Sequence, residues 1–290
     1  MSTQAYVRAT AGIAVRRSPM EGVKRAILYI LLSIAALALL FPLFFALSLA
    51  LQGPTLAPNL LPDFSSLDWD AFPRAFRQAP NLGRWILNSF VVAAAVTVGQ
   101  LITSALAAYA LANLRFKGKN LFFMLFLGTL MIPFEATLIP NYLTIVDLNW
   151  KDSYLGLVTP FLASGFGIFL LRQYFLTIPR ELYEAAILDG CGHFRYLWSI
   201  LLPLSRPALG TLAVYAFLNT YNQYYWPLLV TDSPEWRTTQ VGITAFKSSE
   251  ITLYNMQMAG TLIVMIPTLL LLVIGQKQLV RGLTSGAVKG

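Results

Sequence analysis

Six long stretches of this chain, Ala26–Leu51, Trp85–Leu114, Leu121–Val146, Tyr154–Leu171, Pro207–Thr231 and Ile251–Gln276, contain a single charged side chain between them, Glu135. A helix needs about 20 apolar residues to cross a hydrocarbon core roughly 30 Å thick, so each stretch is long enough to span. None alternates polar and apolar residues over segments of about ten, which is the pattern of a membrane β-barrel. The chain therefore reads as an all-α integral membrane protein with six transmembrane helices. Its composition, 57% hydrophobic and 12% charged, is far from that of a soluble domain. The basic N-terminus precedes an apolar run too long for a cleaved signal, so the first helix is expected to remain.

The net charge of +8 raises the possibility of nucleic acid, but its distribution removes it. With the N-terminus placed in the cytoplasm, the inner segments 1–25, 115–120, 172–206 and 277–290 carry 15 of the 21 Lys and Arg residues. The outer segments 52–84, 147–153 and 232–250 carry 6. This bias follows the positive-inside rule, and the even number of spans puts both termini in the cytoplasm. The expected organisation is a cytoplasmic segment 1–25, a transmembrane domain 26–276 and a cytoplasmic tail 277–290. The one cysteine, Cys191, falls on the reducing side and reads as structural.

The first outer loop, Gln52–Arg84, has prolines at 54, 58, 62, 73 and 80 and acids at Asp63, Asp68 and Asp70, the composition of an irregular, partly ordered surface segment. The third stretch holds Pro133 and Pro140 on either side of Glu135. Prolines remove backbone donors and crowd the preceding turn, so a kink or break near mid-membrane is expected there. An ionisable group inside a span marks a functional position unless it reaches headgroup water, and Glu135 is open to both readings.

The longest inner segment, 172–206, has helical punctuation of its own. Pro179 suits a first position, Glu181 and Glu184 the positive first turn, and Gly190 the left-handed C-terminal position. A short helix over Pro179–Asp189 is predicted. Leu182, Ala185, Ala186 and Asp189 share one mostly small, apolar face, with Glu181 and Glu184 on another. An aromatic and apolar run, His193–Leu202, follows and ends at Pro203, after which Ser205 and Pro207 suit the start of the fifth span. The segment reads as a helix–turn–helix at the inner face of the membrane.

Glu184-Ala185-Ala186, three residues, Gly190, nine residues, Ile200, one residue and Leu202-Pro203 reproduce the EAA signature without a mismatch. On these residues the chain resembles the type I ABC importer permeases. The fuller Glu184–Gly190 and Pro203–Pro207 stretches are similar to the carbohydrate branch. Asn88-Ser89-Phe90, Ala107–Leu111, Arg115-Phe116, Ile132-Pro133 through Pro140, and the ending Gly282–Gly290 extend the resemblance to the smaller six-helix permeases of maltose-type importers. The resemblance implies a permease subunit in the cell inner membrane that imports a sugar or oligosaccharide, or a related solute such as a glycerol phosphodiester or glycerol phosphate. It implies that Glu184, Ala185, Ala186, Asp189, Gly190, Ile200, Leu202 and Pro203 couple the subunit to an ATPase, with the helix seated in a cleft of that partner. Expected partners are an ABC ATPase dimer, a second homologous permease, an extracytoplasmic substrate-binding protein and membrane lipid, with no nucleic acid and no cofactor. In such relatives the C-terminal tail also reaches the ATPase.

The fifth stretch ends in Asn219, Tyr221, Asn222, Gln223, Tyr224, Tyr225 and Trp226. Aromatics there suit interface anchoring, and amides beside aromatics suit a sugar path, so Asn219, Tyr221 and Asn222 join Glu135 as substrate-path candidates. Asp232, Ser233, Pro234 and Glu235 occupy the loop from which relatives of this type touch a binding protein. The sequence has no Gly-x-x-x-x-Gly-Lys-Ser/Thr stretch, so ATP hydrolysis belongs to another chain. An ion-coupled secondary carrier, for which Glu135 argues, would ordinarily need more than one ionisable group at the midplane. A membrane enzyme finds no support in the single histidine, His193, which lacks metal-spaced neighbours and reads as a surface or packing residue.

Overall fold

The computed structural model describes residues 19–53, 59, 61, 67–246 and 254–284. Most of the 1–25 segment, Pro54, Pro58, Pro62 and Asp63 of the first outer loop, residues 247–250, and the Gly-rich ending 285–290 lie outside the described residues.

Every regular element among the described residues is helical. In chain order these are α1 Pro19–Ala50, α2 Ala71–Gln78, α3 Leu82–Asn113, α4 Lys119–Thr129 and α5 Phe134–Asp147. Then come α6 Tyr154–Phe161, α7 Gly165–Phe175, α8 Arg180–Leu188, α9 His193–Leu204 and α10 Arg206–Tyr221. Last come α11 Tyr225–Val230, α12 Thr239–Gly242 and α13 Tyr254–Thr284, with short 3-10 turns at Pro234–Trp236 and Ile243–Phe246. The mid-portion of the bundle is α3 packed on α7 and α10, with α10 on α13 and α13 on α1 and α2.

Three helices, α1, α3 and α13, are individually long and apolar enough to span, and three bent pairs bring the number to as many as six. The prolines explain part of the bending. Between α4 and α5 the axis turns by 94° across Leu130–Pro133, so the break falls at Pro133, while Pro140 is accommodated inside α5. α6 and α7 meet at 46°, and α9 and α10 at 82°. Two boundaries differ from the sequence expectation. The fifth stretch is not one helix: α10 stops at Tyr221 and restarts as α11 after Asn222–Tyr224. Asn222 Nδ2 turns back to Leu218 O (2.8 Å), and a side chain that competes for helix carbonyls favours termination. The last helix continues past Gln276 through Thr284, so the first part of the expected tail is helical.

Small residues set the spacing of the centre. Ala105, Ala108, Ala186 and Ala208 are buried in one cluster with Tyr109, Leu171, Phe175, Tyr196 and Leu212. Lipid tails are as apolar as leucine, so helices in a membrane are held by close backbone approach and not by the hydrophobic effect. At Gly167 of α7 a Cβ would run into the Ser104 side chain of α3, so a larger residue there would force the two helices or Ser104 to shift. By contrast α1 turns Leu31, Leu37, Leu39 and Phe44 outward on all sides, a surface suited to hydrocarbon.

Candidate functional site

α8 is nine residues long, shorter than an isolated helix can sustain, and it is stabilised at both ends. Pro179 stands at the N-cap with extended backbone (ψ 133°), and Glu181 lies in the first turn against the positive end of the helix dipole. At the other end Gly190 has φ +74°. Its N–H donates to Ile187 O (2.9 Å) and the Cys191 N–H to Ala186 O (2.8 Å), the paired bonds of a Schellman motif. The punctuation read from the sequence is thus reproduced to within one residue at each end.

One residue of the Glu-Ala-Ala triplet holds the helix to the bundle. Ala186 is buried against the cluster around Tyr109, Phe175 and Tyr196, whereas Glu184, Ala185 and Asp189 are exposed. The face grouped by spacing therefore divides: Ala186 turns in, while Leu182, Ala185 and Asp189 turn out. Leu188 is 88% exposed and Ile187 and Leu182 are more than 40% exposed, an apolar tip that none of the described residues covers. Glu184 Oε1 lies 3.3 Å from Arg180 Nε, an i,i+4 pair in which both side chains are largely in solvent. Such pairs contribute about 0.3–0.5 kcal/mol, so Glu184 is easily released to another partner.

α9 backs α8. Tyr196, Leu197 and Leu201 are buried, Ile200 and Leu202 are partly buried against the same cluster, and Pro203 is exposed near the 82° turn into α10. The helix widens to π geometry over Leu197–Leu201, and Ser205 at the turn is fully buried without a side-chain cap bond. Cys191 is partly buried and unpaired. His193 has more structure around it than its spacing suggested: its Nδ1 lies 2.9 Å from Tyr109 Oη of α3 and 3.4 Å from Tyr183 Oη of α8, with the Tyr183 ring stacked on it at 16°. His193 thus ties α3, α8 and α9 together. No sequence signal carried this, because the partners are 84 and 10 residues away.

At the opposite end of α3 the 232–239 loop is equally well fastened. Trp85 Nε1 donates to Pro234 O (2.6 Å), and Asn88 Nδ2 donates to the carbonyls of Glu235 (2.8 Å) and Arg237 (3.0 Å). Tyr154 donates to Asn88 Oδ1 (2.9 Å), and buried Ser89 Oγ accepts from the N–H and hydroxyl of Thr239 (2.8 and 2.7 Å). Asp232 receives Lys151 Nζ at 2.6 Å, and that bond holds the Lys151 ammonium above the ordinary lysine range. Ser233 bonds both oxygens of Asp152 through its N–H and hydroxyl, and Glu235 Oε2 is 3.9 Å from Arg84. The four loop residues are exposed on this rigid seat.

Among the described residues no hydrogen bond or ring contact joins the substrate-path candidates to one another. Glu135 is exposed in the first turn of α5 after the right-angle break. Asn219 is exposed and bonded to Tyr215 O, and Asn222 is exposed with its Oδ1 accepting from Gln240 (3.2 Å). Tyr221 is buried between Phe90 and Phe217, with ring centroids 5.5 and 6.0 Å away. No group of three or more His, Cys, Asp or Glu able to hold a metal occurs among the described residues.

Comparison with known proteins bears on this arrangement. The chain is 40% identical over 267 residues to the sn-glycerol-3-phosphate transport system permease protein UgpE of Yersinia pestis bv. Antiqua, covering 88% of this chain and 94% of that one. It is 33% identical over 280 residues to the arabinooligosaccharides transport system permease protein AraQ of Bacillus subtilis, covering 95% and 100%. A chain of a solved bacterial ABC transporter involved in import of the acidic polysaccharide alginate superposes with a TM-score of 0.79 at 24% identity, covering 90% of this chain and 98% of that one. The last likeness speaks for the fold. The sequence profile described as binding-protein-dependent transport system inner membrane component matches residues 9–284, so the helical bundle with its protruding Glu-Ala-Ala helix belongs to that family of ABC importer permeases.

Proposed function

We infer that this subunit forms half of a translocation pathway across the inner membrane with six spans and both termini in the cytoplasm, and that α8 is the part through which a separate ABC ATPase drives it. The observation that carries the reading is the apolar tip of α8: Leu182, Ile187 and Leu188 stand in the open on a helix whose own ends are closed. A surface apolar residue scattered singly needs no explanation, but three around one short helix beside a weakly paired glutamate suit a socket in a partner. The excess of Lys and Arg in the segments expected on the α8 side, 15 of 21, supports a cytoplasmic position. On the outer side, the seat of Asp232–Glu235 suits contact with a substrate-binding protein, and a second permease of the same kind completes the pore. Leu188→Asp and Glu184→Ala test the coupling role. Both changes lie at exposed positions, so stability should move by less than about 0.5 kcal/mol, while ATPase co-purification and substrate uptake fall sharply. Wild-type uptake in both variants would end the assignment.

For the solute we favour a carbohydrate, a sugar or oligosaccharide, the class for which the Bacillus relative is named. The similarity to UgpE favours glycerol 3-phosphate as a second reading. Charge separates them: the six apolar stretches of this chain supply no Lys or Arg to a phosphate, and their single charged side chain, Glu135, is an acid. Uptake of labelled oligosaccharide and of labelled glycerol 3-phosphate, each measured with and without this subunit, distinguishes the two.

A further inference from the structure

We propose that the cleft between the C-terminal end of α3, the start of α4 and the start of α8 is a binding site for the phosphate headgroup of an anionic phospholipid. The cleft is about 240 Å³ and is lined by Asn113, Arg115, Lys119, Leu176, Arg180 and Tyr183 among others. Three of these are cations and none of the lining residues is an acid. Glu184 lies in the adjoining space, where it is occupied with Arg180. Arg115 has no ion-pair or hydrogen-bond partner among the described residues. A guanidinium presents a fork of donors matched to phosphate oxygens, and leaving it unused beside two further cations marks an anion's place. Asn113 Oδ1 also lacks a partner although the atom is buried. A headgroup that carries hydroxyls next to its phosphate offers the donor this oxygen needs.

The depth of the cleft favours a lipid over a soluble anion. The uncharged stretches ending at Leu114 and Leu171 and beginning at Leu121 all meet their first cations here, at Arg115, Arg172 and Lys119. That transition is where hydrocarbon gives way to headgroups, and basic pockets between helices at this level recognise anionic lipids. Next to the cations α4 exposes Leu121, Phe122 and Leu125, each more than half exposed, a surface for acyl chains. Lys119 is held in place by its bonds to Ala112 O and Leu114 O, with which it closes the C-terminal end of α3 (2.9 and 3.1 Å). Lys119 is thus anchored to the end of α3 and does not depend on the ligand for its position.

The test uses the full chain in its assembled transporter. Retention of phosphatidylglycerol, phosphatidylcholine and inorganic phosphate is measured by native mass spectrometry. Each surface cation is worth about five-fold in affinity for an anionic membrane lipid, so Arg115→Gln with Arg180→Gln should lower phosphatidylglycerol retention about thirty-fold. Arg115→Lys with Arg180→Lys should restore most of it, and Lys117→Gln, an exposed cation outside the cleft, should leave it unchanged. Arg115→Gln alone, expected to cost about five-fold, serves if the double variant misfolds. Equal retention in wild type and the Gln variants overturns the proposal, as does equal retention of phosphatidylcholine. Inorganic phosphate bound as tightly as the lipid would make this a site for a free anion. Unchanged lipid retention together with lost ATPase association would assign the cleft to the protein partner, and either result overturns the lipid reading.

Discussion

Gly190 offers a graded perturbation of the α8 end without touching any neighbouring side chain. Its φ of +74° lies in the left-handed region, and no heavy atom stands within 4 Å of where a Cβ would be built. The cost of a side chain there is therefore entirely conformational. For alanine this cost is about 1–2 kcal/mol, which at 1.4 kcal/mol per factor of ten is about a five- to thirty-fold increase in local opening. Asparagine visits this region more readily and should cost less. Proline cannot adopt a positive φ, and it removes the N–H that bonds Ile187 O, so the Schellman motif is lost outright. Hydrogen exchange of the Cys191 amide, whose bond to Ala186 O closes the motif, reads the effect directly. Its rate should rise in the order wild type, Gly190→Asn, Gly190→Ala, Gly190→Pro, and ATPase-driven uptake should fall in the same order. Wild-type exchange in Gly190→Ala, or faster exchange in Gly190→Asn than in Gly190→Ala, would refute the conformational argument. Exchange that follows the order while uptake does not would refute the link from a well-formed α8 to coupling.

Other expectations follow from burial and bonding. Ala186→Leu overpacks the cluster around Tyr196 and should lower thermal stability by about 1–3 kcal/mol, whereas Ala185→Leu at the exposed neighbour should leave the melting temperature alone and weaken ATPase association. Ser89→Ala strands the buried N–H of Thr239 and should cost about 1–3 kcal/mol, readable as an earlier thermal transition of the detergent-solubilised protein. Asp232→Asn removes an exposed pair with Lys151, so stability should change by less than about 1 kcal/mol while binding-protein affinity falls. The same pair should not respond to pH between 6 and 8. A lysine raised by its partner contributes fully below its unfolded value, about 10.4, and that contribution is lost only as pH rises through the higher folded value. A titration of binding-protein affinity with a midpoint near neutrality would exclude this pair as its source.

The three long candidate spans α1, α3 and α13 were legible because hydropathy over 18 or more residues depends on the solvent and hardly on the neighbours, whereas the corners of the three bent pairs were marked only in part, by Pro133. α8 was legible because proline, acids and glycine mark the ends of a helix through local backbone chemistry. What could not be read is what depends on another part of the chain. The stop of α10 at Tyr221 rests on Asn222, whose side chain serves both Leu218 O and Gln240 from a later loop. The inward turn of Ala186, and not of Ala185, is set by Tyr109, Phe175 and Tyr196, which spacing within α8 cannot supply. His193 and Ser89 gain their partners across 84 and 150 residues, and nothing local to either residue names those partners.

α3 differs from most of its neighbours in having no proline and no break over 32 residues, about 48 Å of continuous helix. Its first turns carry Trp85, Asn88 and Ser89, bonded to the 234–239 loop, and its last turns carry Tyr109 beside His193. The two faces of the membrane are therefore joined by one stiff beam gripped at both ends, while the bent pairs around it have corners at which to fold. A tilt of only about 5° around its midpoint would swing each end by about 2 Å in opposite directions. Neither grip can be repositioned without a matching movement at the other, or without bending the beam itself.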